Sequence, residues 1–278
     1  MTIKAIALDI DGTLTNDKKV ITPATRDALL AAQSSGIRLI LSSGRPVQGL
    51  RAIASELDLQ HHGGLLVAFN GAHVVDAQTD EVLFDQPMRE ETLRSLIAHM
   101  RAFDVIPWVT EGKNLYVERG CRHVITYRDE PVDIVEYERR MCDLTLCEVD
   151  DLAEVCARPQ DKLLCASEPE YLQDNWRAMY EPFADTLSGM FTADFYYEFM
   201  APGINKGHAL AGALPKLGID ASEVVAFGDG ENDISMITWA GIGVAMENAI
   251  EATKEAADMV TASNNADGIA VALSEILG

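Results

Sequence analysis

The sequence predicts an α/β protein with a Rossmann-like parallel-sheet core and an inserted α+β domain. Three observations carry this expectation. Short apolar runs alternate with helix-length segments towards both ends of the chain. The middle loses that rhythm and gathers all seven tyrosines and two of the three tryptophans. Acids, glycines and a Ser-Gly-Arg cluster stand where the apolar runs stop, the edge at which open parallel sheets hold ligands.

Ile3 to Leu8 is short, apolar and followed by acids, as expected of a buried strand. Thr22-Pro23 reads as the N-cap and first residue of a helix that runs to about Ser35, where Gly36 closes it. A second strand covers Ile37 to Leu41, a helix about 47–57, and a third strand Leu65 to Phe69. The rhythm resumes with a helix from Lys206 to Gly218, flawed by Pro215 in its last turn. Val224 to Phe227 is a strand, a helix follows from about Asn232, and Ile242 to Ala245 is a strand. A helix over 249–257, a strand at Met259-Val260 and a helix over 267–277 complete the core. Between them, Arg89 to Phe103 and Glu168 to Phe183 read as helices, and Leu115–Val117, Lys162–Cys165 and Phe195–Phe199 as strands. The expected division is a core of residues 1–82 and 201–278 and an inserted domain of residues 83–200.

With 278 residues, 48% of them hydrophobic, the chain can bury a substantial interior and is not a disordered protein. Its net charge is −22, and no long stretch is basic. Nucleic acid and an anionic membrane are therefore not expected partners. The uncharged apolar run from Ile234 to Met246 is thirteen residues, short of the ~20 needed to span a bilayer. Only four apolar residues, Ala5 to Leu8, separate Lys4 from Asp9, too few for a signal peptide. Five cysteines, none in a CxxC pair, suit reduced thiols in the cytoplasm better than disulfides or zinc. The sequence leaves the oligomeric state open.

Four clusters carry the chemistry: Asp9-Ile10-Asp11-Gly12-Thr13, Ser43-Gly44-Arg45, Lys206-Gly207, and Gly228-Asp229-Gly230-Glu231-Asn232-Asp233. Each alone is ordinary, since acids and glycines also make turns. Together, Asp9, Asp11, Asp229 and Asp233 would bring up to four carboxylates near one point, where they repel without a cation. A hard divalent ion with oxygen ligands, Mg2+ above all, answers that repulsion and also binds phosphate oxygens. Lys206, the Ser43 hydroxyl and loop amides near Gly12 and Gly44 would hold the remaining oxygens of a phosphate. Arg45 stands beside that turn, within reach of an ester, and a carboxylate aimed at phosphorus can act as a nucleophile. His61-His62 has no carboxylate partner evident in the sequence and reads as an exposed loop. Tyr196-Tyr197 reads as packing, and Asn248, Asn264 and Asp267 as loop-shaping residues.

These residues, with Leu14, Pro46, Asn70-Gly71-Ala72, Asn205, Met236 and Met246-Glu247-Asn248-Ala249, carry a resemblance. The sequence resembles the haloacid dehalogenase-like (HAD) phosphohydrolases, and within them the Cof-type subfamily with a type IIB cap. The likeness rests on the core; the middle matches the cap in position and size only. It implies that Asp9 is the nucleophile and a metal ligand. Asp11 would be the general acid/base, with its backbone carbonyl on the metal. Ser43 and Lys206 would hold phosphate, with help from Asn232. Asp229 would be the third protein ligand of Mg2+, and Asp233 would support the metal or its waters. Relatives often carry Thr at the position of Ser43, which keeps the hydroxyl. The acids at both 9 and 11 favour a phosphatase over phosphonatase or dehalogenase relatives.

The expected activity is hydrolysis of a small phosphate monoester, sugar phosphates first, through an aspartyl phosphate. The alternatives are a phosphomutase or phosphotransferase acting on sugar phosphates, or a non-catalytic phosphosugar sensor. The sensor reading calls for loss of Asp9 or Asp11, and both are present.

Overall fold

The computed structural model describes residues 2–155 and 158–278, so Cys156 lies outside the described residues. The chain divides into two compact units. The first is Met1–Gly44, Leu50–Asp85 and Asn205–Gly278, and the second is Arg45–Gly49 and Gln86–Ile204.

In chain order the elements begin with β1 (Ala5–Leu8), α1 (Pro23–Ser34), β2 (Arg38–Ser42), α2 (Val47–Glu56), β3 (Leu65–Ala68), β4 (His73–Asp76) and β5 (Val82–Asp85). There follow α3 (Glu90–Met100), β6 (Ile106–Glu111), β7 (Asn114–Glu118), β8 (Val124–Tyr127), β9 (Glu130–Asp133), α4 (Ile134–Met141) and β10 (Thr145–Val149). Next come α5 (Leu152–Val155), β11 (Lys162–Ala166), α6 (Pro169–Tyr180), β12 (Ser188–Ala193) and β13 (Tyr196–Met200). The last are α7 (Lys206–Ala213), β14 (Val224–Gly228), α8 (Ile234–Trp239), β15 (Ile242–Ala245), α9 (Glu251–Ala256), β16 (Met259–Val260) and α10 (Gly268–Ile276).

The first unit is built on an eight-stranded sheet in the order β16-β15-β14-β1-β2-β3-β4-β5. Pairing is parallel from β16 to β3, and β4 and β5 extend the sheet antiparallel. β1 lies between β2 and β14, with Leu8 level with Leu41 on one side and Phe227 on the other. All four residues of β1 and all five of β14 are buried, as expected of strands covered on both faces. Thr22 caps α1 through the Thr25 amide, Pro23 opens that helix, and Gly36 after it has φ +93°. This arrangement is the α/β fold the sequence predicts.

The structure differs from the sequence expectation at several elements. The helix expected from Lys206 to Gly218 is α only to Ala213 and continues as a 3-10 turn, Leu214–Leu217. Pro215 explains this, because it brings no N–H to the α ladder. Strands β4 and β5 were not expected at all. Their short, half-exposed segments lack the apolar run that marks β1 and β14.

The second unit has a mixed six-stranded sheet in the order β10-β7-β6-β11-β13-β12, and β8 and β9 form a separate hairpin. It is the inserted α+β body of the expected fold class. Its three sequence-predicted strands are β7, β11 and β13. The strands β6, β8, β9, β10 and β12 and the helices α4 and α5 were not read from the sequence. Tyr196 and Tyr197 are buried, with Tyr197 packed among Trp176, Phe191 and Phe199. Cys121, Cys142, Cys147 and Cys165 are free thiols.

One close approach fixes the start of α7. A Cβ on Gly207 would lie 2.2 Å from the Ser235 carbonyl oxygen, so α7 and α8 meet backbone to backbone there. Gly207→Ala should therefore destabilise the protein by about 1–3 kcal/mol despite the better helix propensity of alanine. Urea unfolding checks this, and an unchanged or higher midpoint would show that the helices can part at no cost.

Candidate active site

The ends of β1, β2 and β14 and the start of α7 converge within the first unit. Lys206 is the first residue of α7 and is fully buried. Asn205 precedes it as N-cap, accepting from the His208 amide at 2.8 Å. The Lys206 ammonium donates to Asp9 Oδ1 at 2.6 Å, to Asp233 Oδ1 at 2.6 Å and to the Ser42 carbonyl at 3.0 Å. An ammonium has three donors, so protein atoms engage all of them. A lysine at a helix start is usually solvated; here it ties three strand-end segments together.

The acids are held with equal specificity. Asp233 Oδ2 accepts from the backbone N–H of Asp229 at 3.0 Å and of Gly230 at 2.9 Å. Asp229 Oδ1 accepts from the Thr13 hydroxyl at 2.6 Å. Gly12 has φ +89°, and a Cβ there would lie 2.3 Å from Asp229 Oδ2. The chain thus needs glycine at this turn both for its backbone angle and for room. One carboxylate oxygen from each of Asp9, Asp229 and Asp233 falls within 4.8 Å of the other two. The Asp11 carboxylate is not in this group; it is exposed and pairs with Lys19 at 2.8 Å.

Ser43 is buried, its N–H bonded to the Val67 carbonyl and its carbonyl to the Asn70 N–H, both at 2.9 Å. Asn70 stands at φ +54° after β3 and accepts from the Asn232 side-chain amide at 3.0 Å. Gly44 meets the same Asn70 side chain, which a Cβ would approach to 3.1 Å. Ser43, Gly44 and Asn232 therefore meet through Asn70, to which the sequence reading gave no role. Arg45 opens the short segment that groups with the second unit.

Two asparagines set aside as loop-shaping residues act on the Asp11 loop. Asn248 Nδ2 donates to the Gly12 carbonyl at 2.8 Å, and Asn264 Nδ2 to the Thr15 carbonyl at 3.0 Å. The Asn264 N–H donates in turn to Asn248 Oδ1 at 3.0 Å. Asp267 accepts from Thr22, which is a packing role. The exposed His61 and His62 do have a carboxylate partner, Asp58, at 2.5 Å and 3.7 Å, which corrects the expectation of none.

The electrostatics mark the cluster as short of positive charge. Burial first, then Asp233, pushes the Asp9 carboxyl from 3.8 to about 8 although Lys206 pulls it down. Burial also raises Asp229 to about 6, against the pull of its Thr13 hydrogen bond. Burial alone would lower Lys206, but Asp233 and Asp9 outweigh it and hold the ammonium well above its usual range. Three buried or half-buried carboxylates with one ammonium, offering only oxygen donors, fit a hard divalent cation.

Comparison with known proteins points to one family. The sequence model of one family, described as haloacid dehalogenase-like hydrolase, matches residues 6–273. The candidate phosphatase YxeH of Bacillus subtilis is 32% identical over 275 residues, covering 99% of this chain and 98% of that one. A solved haloacid dehalogenase-like hydrolase from Bacteroides thetaiotaomicron superposes with TM-score 0.89 at 31% identity, over 99% of this chain and 100% of the other. The structure of BT4131, a HAD subclass IIB sugar phosphatase, superposes with TM-score 0.80 at 26% identity, over 98% of each chain.

The raised Asp9 has a consequence for stability. Its folded value of about 8 lies above the 3.8 of the unfolded chain. The stability it gives is thus fully present only below pH 3.8 and is lost as pH rises through 8. Asp9→Asn removes that loss. In chelator, the variant should melt above the wild type, by a margin that widens from pH 5 to pH 8 and then levels off. Thermal melts across that range read it out; a margin that shrinks with pH would contradict the buried-charge account.

Proposed function

The chain belongs to the haloacid dehalogenase-like hydrolases, and from that premise we propose that it hydrolyses a sugar phosphate or similar small monoester through an aspartyl phosphate on Asp9. That it is a phosphatase follows from the family and its relatives. The observation that carries the finer reading is the buried Lys206, which orients Asp9 against Asp233 beside Asp229. The likeness to the sugar phosphatase BT4131 over nearly the whole chain supports the choice of substrate class.

Asp9, Asp229 and Asp233 would hold Mg2+, with the Asp11 carbonyl as the further oxygen the family resemblance implies. When bound, the ion would offset the carboxylate charge and draw electron density from a phosphate oxygen. The protein's own groups do the rest. Ser43, Gly44 and Asn232, joined through Asn70, hold phosphate oxygens, and Lys206 adds positive charge as a carboxylate partner is exchanged for one of them. Asp9 attacks phosphorus, the ester P–O bond breaks, and Asp11 gives its proton to the departing oxygen. Asp11 then takes a proton from water, whose oxygen attacks phosphorus and releases Asp9 and inorganic phosphate. Asp11 must exchange Lys19 for the ester oxygen to play this part. The second unit, which corresponds to the expected cap of residues 83–200, reads the leaving group.

Two measurements test this reading. Phosphate release from a panel of esters should fall to background in EDTA and return with Mg2+. Ca2+ should not restore it, because its longer bonds and larger shell misplace the carboxylates. Full turnover in metal-free buffer would reject the cation. Separately, Asp9→Asn should lower kcat by at least about a thousandfold and abolish phosphoenzyme formation. Asp11→Asn should slow the second half-reaction and let phosphoenzyme accumulate from an ester with a good leaving group. Borohydride reduction and peptide mapping should place the modified acid at residue 9, and any other position would overturn the mechanism.

A further inference from the structure

The second unit holds a cavity of its own. It encloses about 380 Å³ and is lined by residues of that unit alone. None of the residues assigned to the reaction is among them. Met88, Leu187 and Ala201 form its buried part, each no more than 3% exposed. The polar part of the lining is Arg89, Thr92, Asp185 and Thr186, all wholly or partly exposed. The volume is that of a small-molecule site.

The segments that carry these residues are pinned. The Met88 N–H donates to the Gln160 carbonyl at 2.9 Å, where the two residues form an antiparallel bridge. The Leu187 N–H donates to the Phe183 carbonyl at 2.8 Å. The Gln86 side-chain amide donates to the Pro202 carbonyl at 2.8 Å, and the Gly203 N–H to the Ser188 hydroxyl at 3.1 Å. The cavity is thus preformed, and a ligand need not spend binding energy on ordering it.

Two opposite charges line this cavity without meeting. Among the described residues every other arginine has a partner, a carboxylate for most, a carbonyl for Arg38 and a ring for Arg128 and Arg177. The Arg89 guanidinium makes no hydrogen bond, ion pair or ring contact with a described residue, and neither does the Asp185 carboxylate. Pairing with each other would engage both, yet they do not pair. A guanidinium offers a planar fork of donors that matches a carboxylate, and a carboxylate accepts from an ammonium. The Thr186 hydroxyl donates to the Phe183 carbonyl at 3.2 Å, which leaves its lone pairs to accept from a ligand.

We propose that this cavity is a binding site for a small zwitterion with an apolar body, an aliphatic α-amino acid in the simplest case. Arg89 takes the carboxylate, Asp185 and Thr186 take the ammonium, and Met88, Leu187 and Ala201 receive the side chain. A simple anion would also face Asp185, and a simple cation Arg89, so each gains less than a molecule carrying both charges. The site does not depend on the phosphatase chemistry.

Calorimetry on the full-length protein tests this with L-leucine, 4-methylpentanoate and 3-methylbutylamine. The three share a side chain but carry both charges, the negative one only and the positive one only. L-Leucine should bind saturably, and each partial ligand at least about tenfold more weakly. Arg89→Met and Asp185→Asn should each lower L-leucine affinity by about tenfold or more. Both residues are exposed, so both variants should melt with the wild type and hydrolyse p-nitrophenyl phosphate at its rate. The calorimetric arms decide the site whether or not any ester turns over. No saturable heat with L-leucine, equal affinity for a partial ligand, or L-leucine affinity unchanged by both substitutions would overturn the proposal. Hydrolysis that falls in step with affinity would overturn it too, by assigning these residues to the phosphatase reaction.

Discussion

A single buried ammonium sets the terms for the first unit. Lys206 reaches the end of β1 through Asp9, the end of β2 through the Ser42 carbonyl and the loop after β14 through Asp233. Those are the three adjacent central strands of the sheet. Their parallel packing brings carboxylates to one edge, and the lysine makes that tolerable in part. Three carboxylates, Asp9, Asp229 and Asp233, face one positive charge, a donor set that fits a divalent cation better than a closed ion pair does. The need for glycine at residue 12 follows from the same crowding, since the turn that presents the acids also passes against Asp229.

The positioning is layered. Asp233 is fixed by two backbone amides and the lysine, so its place depends on the Gly228–Gly230 turn and not on its own rotamer freedom. The loop after β1 is fixed from the opposite end of the sequence, by Asn248 and Asn264 on the carbonyls of Gly12 and Thr15. Hydrogen bonds from separate elements thus hold the acids and the loop that carries them in one arrangement.

The parallel core was legible because its strands are buried on both faces and so appear as unbroken apolar runs ending in polar turns. The acids at 9, 11, 229 and 233 were legible by the same token, as charges placed at the ends of such runs. β4, β5, β10 and β12 were not, because their residues are mostly half-exposed and carry no run to detect. Lys206 was legible as a phosphate holder but not as a buried tie between strands, since its burial depends on strands far away in sequence. Asn70, Asn248 and Asn264 look like turn residues locally, and nothing in their neighbourhoods names the distant carbonyls and amides they bind. Asp11 was expected beside the other acids, yet its carboxylate lies outside the three-acid group, since residues two apart across a turn need not face the same way.

The placement of β1 has a further consequence, in time. Its neighbour β14 begins at Val224, more than two hundred residues later in the chain, with the whole second unit between them. At a translation rate of 5–20 residues per second, β1 and β2 wait roughly 10–40 s for that strand and for the lysine and aspartates that travel with it. Closing so long a loop is slow in solution too, since its entropy is lost before the contacts return anything. During that interval β1 offers one unpaired apolar edge, and Asp9 waits for the ammonium of Lys206. The second unit, whose own sheet is assembled from one continuous stretch of chain, is free to fold first and shorten the gap. The whole stretch that forms the second unit's sheet therefore leaves the ribosome before Lys206 and Asp233 can meet Asp9.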